Sequence, residues 1–238
     1  MHALAILAAA WFIQPPAKTI ELPDSPTFKE AGAEIKPIGK NVWVDFGAKS
    51  RRVIVRGAVC RNDVELEEFM CLKGTKEHES IVTADVVPKV FHAALISAGA
   101  DSGTPARFDG KFHPPTGDKL KITVEWKSAK ETKRATAQDW IRDANSKKAI
   151  THDFVFAGSQ WVKSPITGED VYLGDEGDLI SVANFSSSII DLAIQSTSQN
   201  DQLQFTSFKD RIPPIDTEVF VIISVAQKAA KRDAKKSN

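Results

Sequence analysis

The sequence predicts an α+β fold: a mostly antiparallel β-sheet with one main helix, at about residues 86–98, packed on it. Three observations carry this. Short runs rich in Val, Ile, Phe, Trp and Thr recur along most of the chain, as β-strands require. Polar or Gly/Pro-bearing connections such as "SAKETK", "SPITGE" and "DRIPPIDT" separate them. Only "ADVVPKVFHAALISAGA" repeats its apolar residues at helical spacing.

The chain opens with an apolar run from Ala3 to Ile13, followed by Pro15 and Pro16. That run is too short to span a bilayer and suits the core of a signal peptide, although no Lys or Arg precedes it. Residues 1–17 are therefore read as a signal peptide and 18–40 as an N-terminal extension, with an apolar first strand as the alternative. The expected location is outside the cytoplasm, periplasmic or extracellular, with no transmembrane span in the mature chain.

"NVWVDFGAKSRRVIV" reads as a hairpin, its first strand at Val42 to Phe46 turning through Gly47 to Ser50 into a strand that ends at Cys60. "LEEFMCLK" reads as another strand, with polar "RNDVE" as a hairpin-length connection between the two. Cys60 and Cys71, the only cysteines, would then face each other across an antiparallel pair. A disulfide there would contribute about 3 kcal/mol in the chain-entropy model. Two buried free thiols are the alternative. No CxxC motif and no four-cysteine set is present, so no iron–sulfur cluster is expected.

In the helix, Asp85 can cap the start, Pro88 suits the first turn and Gly99 can end it. Val87, Val90, Phe91, Ala94 and Ala98 share an arc at 100° per residue, with Leu95 at its edge. His92 falls outside that arc, beside Lys89 and Ile96. Beyond the helix, strands return at "DKLKITVEWK", "RATAQDWIRD", "HDFVFAGSQWV", "DVYLGDEGDLISV", "LQFTSF" and "EVFVIISVA". Residues 41–226 are read as one domain and 227–238 as a basic disordered tail.

Lys plus Arg and Asp plus Glu each total 31, so no overall field steers the molecule to nucleic acid, and no nucleic-acid partner is expected. Familiar catalytic signatures fail on inspection. "HESIV" starts like a zinc-protease helix, but the second histidine would be residue 82, which is Val82. "AGSQW" lacks the second glycine of a nucleophile elbow, and "ADSG" around Ser102 lacks a framework. "DEGDL" is acidic without EF-hand spacing, and no phosphate-cradling glycine loop occurs.

One charged stretch remains. In "FMCLKGTKEHESIV", Lys76, Glu77, His78 and Glu79 stand side by side between apolar runs. Carboxylates and imidazole suit a divalent metal such as zinc, and the helix could return His92 to the same place. In a strand, however, adjacent side chains would point to opposite faces, and an exposed ion-paired loop is the bland alternative. His113 and His152 are possible further ligands.

"CLKGTKEHESIV", "VFHAALISAGADSGTPARF", "HPPTGDKLKITVEW", "AQDWIRD", "FVFAGS" and "GDLISVANF" together resemble the YdjY-domain proteins, notably exported ones, over roughly Val42 to Val225. Phe154 stands where the family leads one to expect Trp. The family's loose ferredoxin-like label implies no iron–sulfur role for a chain with two cysteines. The resemblance raises Lys76, Glu77, His78, Glu79 and His92 to the best binding-site candidates and implies no particular reaction. The expected function is an exported binding or accessory domain for a protein or small-molecule ligand. The alternative is a metal-dependent, hydrolase-like enzyme using His78, His92 and Glu77 or Glu79.

Overall fold

The computed structural model describes residues 33–47, 51–196 and 204–225. The signal-peptide and tail assignments, most of the N-terminal extension and the turn at 48–50 lie outside the described residues. No helix among the described residues is long and apolar enough to cross a membrane.

The chain begins with β1 (Ile35–Gly39), β2 (Val42–Asp45), β3 (Arg52–Val59) and β4 (Glu68–Leu72), followed by a 3-10 turn at Glu77–Glu79, β5 (Ser80–Ala84) and α1 (Pro88–Ser97). Then come β6 (Arg107–Phe108), β7 (Phe112–His113), β8 (Lys119–Ser128), β9 (Glu131–Thr136), α2 (Ala137–Trp140) and β10 (Ile141–Asp143). The remaining strands are β11 (Phe154–Val155), β12 (Trp161–Lys163), β13 (Asp170–Tyr172), β14 (Asp178–Ser181), β15 (Asp191–Leu192), β16 (Phe205–Ser207) and β17 (Glu218–Val225).

Eleven strands form one sheet in the order β14-β4-β5-β3-β17-β8-β11-β15, with β2 and β1 added beside β3 and β9 beside β8. Its two ends meet. Ile180 of β14 bridges Ile190 just before β15, and Ser181 N–H donates to Ile190 O at 2.9 Å while Ile189 N–H donates to Asp178 O at 3.0 Å. The sheet therefore curls into a near-barrel, which satisfies backbone groups that open edges would leave unpaired. Val42, Val44, Val53, Val55, Phe69, Ile122, Val124, Trp140, Phe154 and Val221 fill the core. Each buried aliphatic or aromatic side chain contributes about 1.5–3 kcal/mol.

The α+β expectation is overturned: the described residues are mostly β, and the one long helix among them covers a patch of barrel wall rather than forming a layer. Alternation along a strand reports which face is apolar; it does not report whether the outermost strands find each other. The helix itself forms where expected, burying Phe91, Ala94 and Leu95, and Val90 packs against Gly39, where an added Cβ would lie 2.7 Å from Val90 Cγ1. Asp85 does not cap it. Val87 holds the cap position without a side-chain bond, while Asp85 pairs with Lys40 at 2.5 Å.

Two local expectations also change. "RATAQDWIRD" is not one strand, because Thr136 and Asp139 form a reciprocal capping box that starts the short α2. The β2–β3 hairpin forms, with Arg52 Nε donating to Asp45 Oδ2 at 2.9 Å, but β3 and β4 do not pair. β5 lies between them, antiparallel to β3 and parallel to β4.

Candidate functional site

Where β14 and β15 close the barrel beside β4, the chain buries an unusual number of ionisable and hydroxyl groups. Glu68, Asp178, Ser181, Ser188 and Asp191 are each at most 1% exposed, and Ser187 and Asn184 are 4% exposed. The adjacent glutamates of "LEEFMC" explain part of this: on a strand, neighbouring side chains leave by opposite faces, so one of Glu67 and Glu68 must turn inward. The pairing of β4 with β14 is irregular here, with register shifts on either side of Ile180.

The groups form three hydrogen-bonded sets. Ser188 Oγ donates to Ser181 Oγ at 2.7 Å, and Ser181 Oγ donates to Glu68 Oε1 at 3.0 Å. Glu68 Oε2 is buried with no hydrogen-bond partner among the described residues. Ser187 Oγ donates to Asp178 Oδ2. Deeper along the seam, Asn184 Nδ2 donates to Asp191 Oδ1 at 3.0 Å.

Lys76 reaches these groups from the loop between β4 and β5. Its Nζ lies 2.9 Å from Asp178 Oδ1 and 3.7 Å from Glu67 Oε2. The same ammonium lies 3.9 Å from the centroid of the Phe185 ring, a cation–π contact. Burial works against its charge, but Asp178, Glu68 and Glu67 outweigh it and the Lys76 pKa rises. Burial, then the field of Asp178, pushes the Glu68 carboxyl well above its ordinary value. Burial raises Asp191 in the same direction. Burial and the hydrogen-bonded Glu79 carboxyl push Glu67 up to about 7. Burial thus favours the neutral form of Glu67, Glu68 and Asp191, while the carboxyl groups around Lys76 favour its charged form.

The residues of the charged loop go to different tasks. Lys76 enters the seam, and Glu79 meets Glu67 at its rim. Glu77 turns the other way, its Oε1 accepting from Gly74 N–H at 2.5 Å and from Thr83 Oγ1 at 3.3 Å, which braces the loop. Its own burial opposes ionisation, but these bonds prevail and lower its pKa. His78 points to solvent, 69% exposed, with Nε2 3.6 Å from Glu79 Oε1. The alternation that sends neighbouring side chains apart on a strand thus has its counterpart in this 3-10 turn.

His92 does not join them. Its Nδ1 shares a 2.7 Å hydrogen bond with Tyr172 Oη, and its ring packs edge-on against Phe156 at 5.0 Å. A Cβ on Gly158 (φ +89) would lie 2.8 Å from Ser102 Cβ and 3.7 Å from His92 Cε1, so this corner is tight against Ser102 and in ordinary contact range of the ring. Desolvation lowers the His92 pKa. His92 pins α1 to β13 and this corner. Among the described residues, no three His, Cys, Asp or Glu side chains are placed to hold a metal ion, so a set made from His78, His92 and a glutamate is not assembled. His113 Nε2 contacts Asp109 Oδ1 at 2.6 Å, and His152 packs on Phe205.

Both cysteines are free thiols, Cys71 buried and Cys60 half-buried. They approach although β3 and β4 do not pair, because each strand runs beside β5; Cys60 Sγ lies 3.2 Å from Ser80 O. A hydrogen bond from Cys60 holds Cys71 down to about 7, while the same contact and burial push Cys60 up. Lys76 N–H and the Ser80 hydroxyl also support the Cys71 sulfur, so the thiol pair sits at the base of the Lys76 loop.

A cleft of about 450 Å3 opens beside the start of that loop, lined by Asn41, Arg56, Lys73, Thr83, Asp85 and Glu218. Its charges are largely spent on each other: Arg56 Nε donates to Glu218 Oε2 at 2.6 Å, and Lys40 engages Asp85. The seam is the more strongly perturbed place. Sequence reading reaches Lys76 and Glu79, sets Asp178 aside with "DEGDL", and passes over Glu67, Glu68, Ser181, Ser187, Ser188 and Asp191. The usable signal was a doubled glutamate opening an apolar strand, together with "SSSIID" reaching the strand that receives it.

No curated protein and no solved structure matches this chain. The family model of the YdjY domain matches residues 42–224, from the first core residue of β2 to the penultimate residue of β17. The chain belongs to the YdjY domain family.

Proposed function

We propose that this chain is an exported binding or accessory domain and that its ligand engages the polar seam around Lys76. One observation carries the reading: carboxyl groups of Glu68, Asp178 and Asp191, with Glu67 at the rim, are buried where apolar side chains would close the barrel at lower cost. Buried ionisable groups with strongly displaced pKa values concentrate at functional sites. Export rests on the apolar Ala3 to Ile13 run. In an oxidising compartment, Cys60 and Cys71, already in contact, would be converted to a disulfide.

A thermal-shift screen of a metabolite and peptide library against wild type, Glu68→Gln and Asp178→Asn tests the site. The expected result is a ligand that raises the wild-type Tm by mass action and fails to raise that of either variant. A library that stabilises all three proteins equally would move the site elsewhere. Secreted protein should lack the first segment and titrate no free thiol; two alkylatable thiols in secreted material would remove the disulfide.

A further inference from the structure

We infer that the seam is a recognition site for an alkylammonium group, which Lys76 occupies from within the chain until an amine-bearing ligand displaces it. This rests on the seam being the binding site. The chain's own side chain shows the chemistry the pocket accepts: an ammonium on a four-carbon stem, 3.9 Å from the Phe185 ring centroid, 2.9 Å from Asp178 Oδ1 and 3.7 Å from Glu67 Oε2. An aromatic face with carboxylates at its edge is the arrangement that selects organic cations, because the ring quadrupole and the carboxyl oxygens attract the same charge from different sides.

A second observation points the same way. Glu68 is fully buried, feels both Asp178 and Lys76, and keeps Oε2 without a hydrogen-bond partner among the described residues. Buried carboxyl oxygens normally find partners, so the seam has hydrogen-bonding capacity that the Lys76 ammonium does not fill. Access follows the stem of the internal occupant. The Lys76 side chain is 24% exposed, and Lys73, Gly74 and Thr75 before it are exposed, so rotation about the side-chain torsions takes the ammonium to water while the loop backbone stays in place. The Lys76 carbonyl remains held by Ser80 Oγ at 2.6 Å and by Glu79 N–H at 3.2 Å. A free amine and a lysine side chain of a protein share this chemistry.

The test is complementation of the missing side chain. Lys76→Ala in the full chain removes a propylammonium equivalent; its Tm should fall, and added propylammonium chloride should raise it saturably, whereas propanol should not. Lys76→Ala/Asp178→Asn should not respond. Absence of any difference between propylammonium and propanol overturns the proposal. Should Lys76→Ala fail to fold, the wild type answers instead: the side-chain 15N signal of Lys76, assigned by its loss in Lys76→Arg, should shift to that of an exposed lysine on titration with propylammonium or with N-acetyl-lysine methylamide. An unmoved signal with both probes overturns displacement. Stronger displacement by the blocked lysine assigns the site to a protein partner, and stronger displacement by propylammonium to a free amine. If neither amine acts but Asp178→Asn still abolishes the response to another library ligand, the ammonium class falls while the binding reading stands.

Discussion

Two parts of the same barrel are built on opposite principles. On the wall, β17 is the middle strand between β3 and β8, with seven uninterrupted register pairs to each, and Val53, Val55, Ile122, Val124, Val221 and Ile223 face a dry core. At the seam, β14 meets β4 through three pairs broken by register shifts, and the buried side chains are carboxyls and serines. The wall is long-range pairing and apolar burial reinforcing one another. The seam closes the sheet with groups that burial disfavours, which is the signature of residues kept for something other than stability. On the proposed reading, stability and recognition fall to separate arcs of one sheet.

The sharpest test of that division is a pair of substitutions. Ile122→Ala on the wall should lose about 3 kcal/mol through lost transfer energy and a cavity, read as a lowered denaturant midpoint at unchanged slope. Glu68→Leu at the seam, equally buried, should melt at or above the wild-type temperature. A seam variant that loses as much as the wall variant would erase the contrast.

His92 tests a third location. His92→Ala removes the Tyr172 hydrogen bond and the Phe156 contact, and should lower stability by about 2 kcal/mol in chemical denaturation. Tyr172→Phe, which keeps the ring, should lose less. A smaller loss in His92→Ala than in Tyr172→Phe would show that the ring does not pin the helix.

The seam should also respond to pH where the wall does not. The Glu67 pKa is about 7 in the folded chain against 4.5 as its ordinary value, so the folded state holds the proton more tightly. Its contribution is fully present below about pH 4.5 and is lost as pH rises through about 7. Glu68 and Asp191 act in the same direction. Tm measured across that window should therefore fall with rising pH more steeply in wild type than in Glu67→Gln; parallel curves would take Glu67 out of the linkage.

The smallest effect is expected at His78. Its side chain is largely exposed and meets Glu79 at 3.6 Å, so His78→Ala should stay within about 0.5 kcal/mol of wild type and leave any amine response intact. A lost response would return His78 to the site.

Several of these distinctions were within reach of the sequence. Strand and helix periodicity located the β2–β3 hairpin, the long strands at 119–128 and 218–225 and the helix at 88–97, because the spacing of apolar residues is a local property of the chain. Lys76, Glu77, His78 and Glu79 stand out together in the sequence as a polar stretch between apolar runs. The order of strands was not legible. The short segment between Cys60 and Cys71 looks like a hairpin connection, yet β5 is inserted between the flanking strands, a choice made by residues beyond the segment.

From the amino acids alone come the β-rich character, the place of the one long helix, the thiol count and the charged loop, since each depends on side chains within a few positions of one another. Folding in three dimensions supplies the rest. It joins β14 to the segment before β15 and turns an expected layered sheet into a near-barrel, and it brings Glu68, Asp178, Ser188 and Asp191 together from places more than a hundred residues apart in part. It sends His92 to Tyr172 and Lys76 to Phe185, because a side chain's direction is settled by the surface it packs against, and that surface comes from elsewhere in the chain.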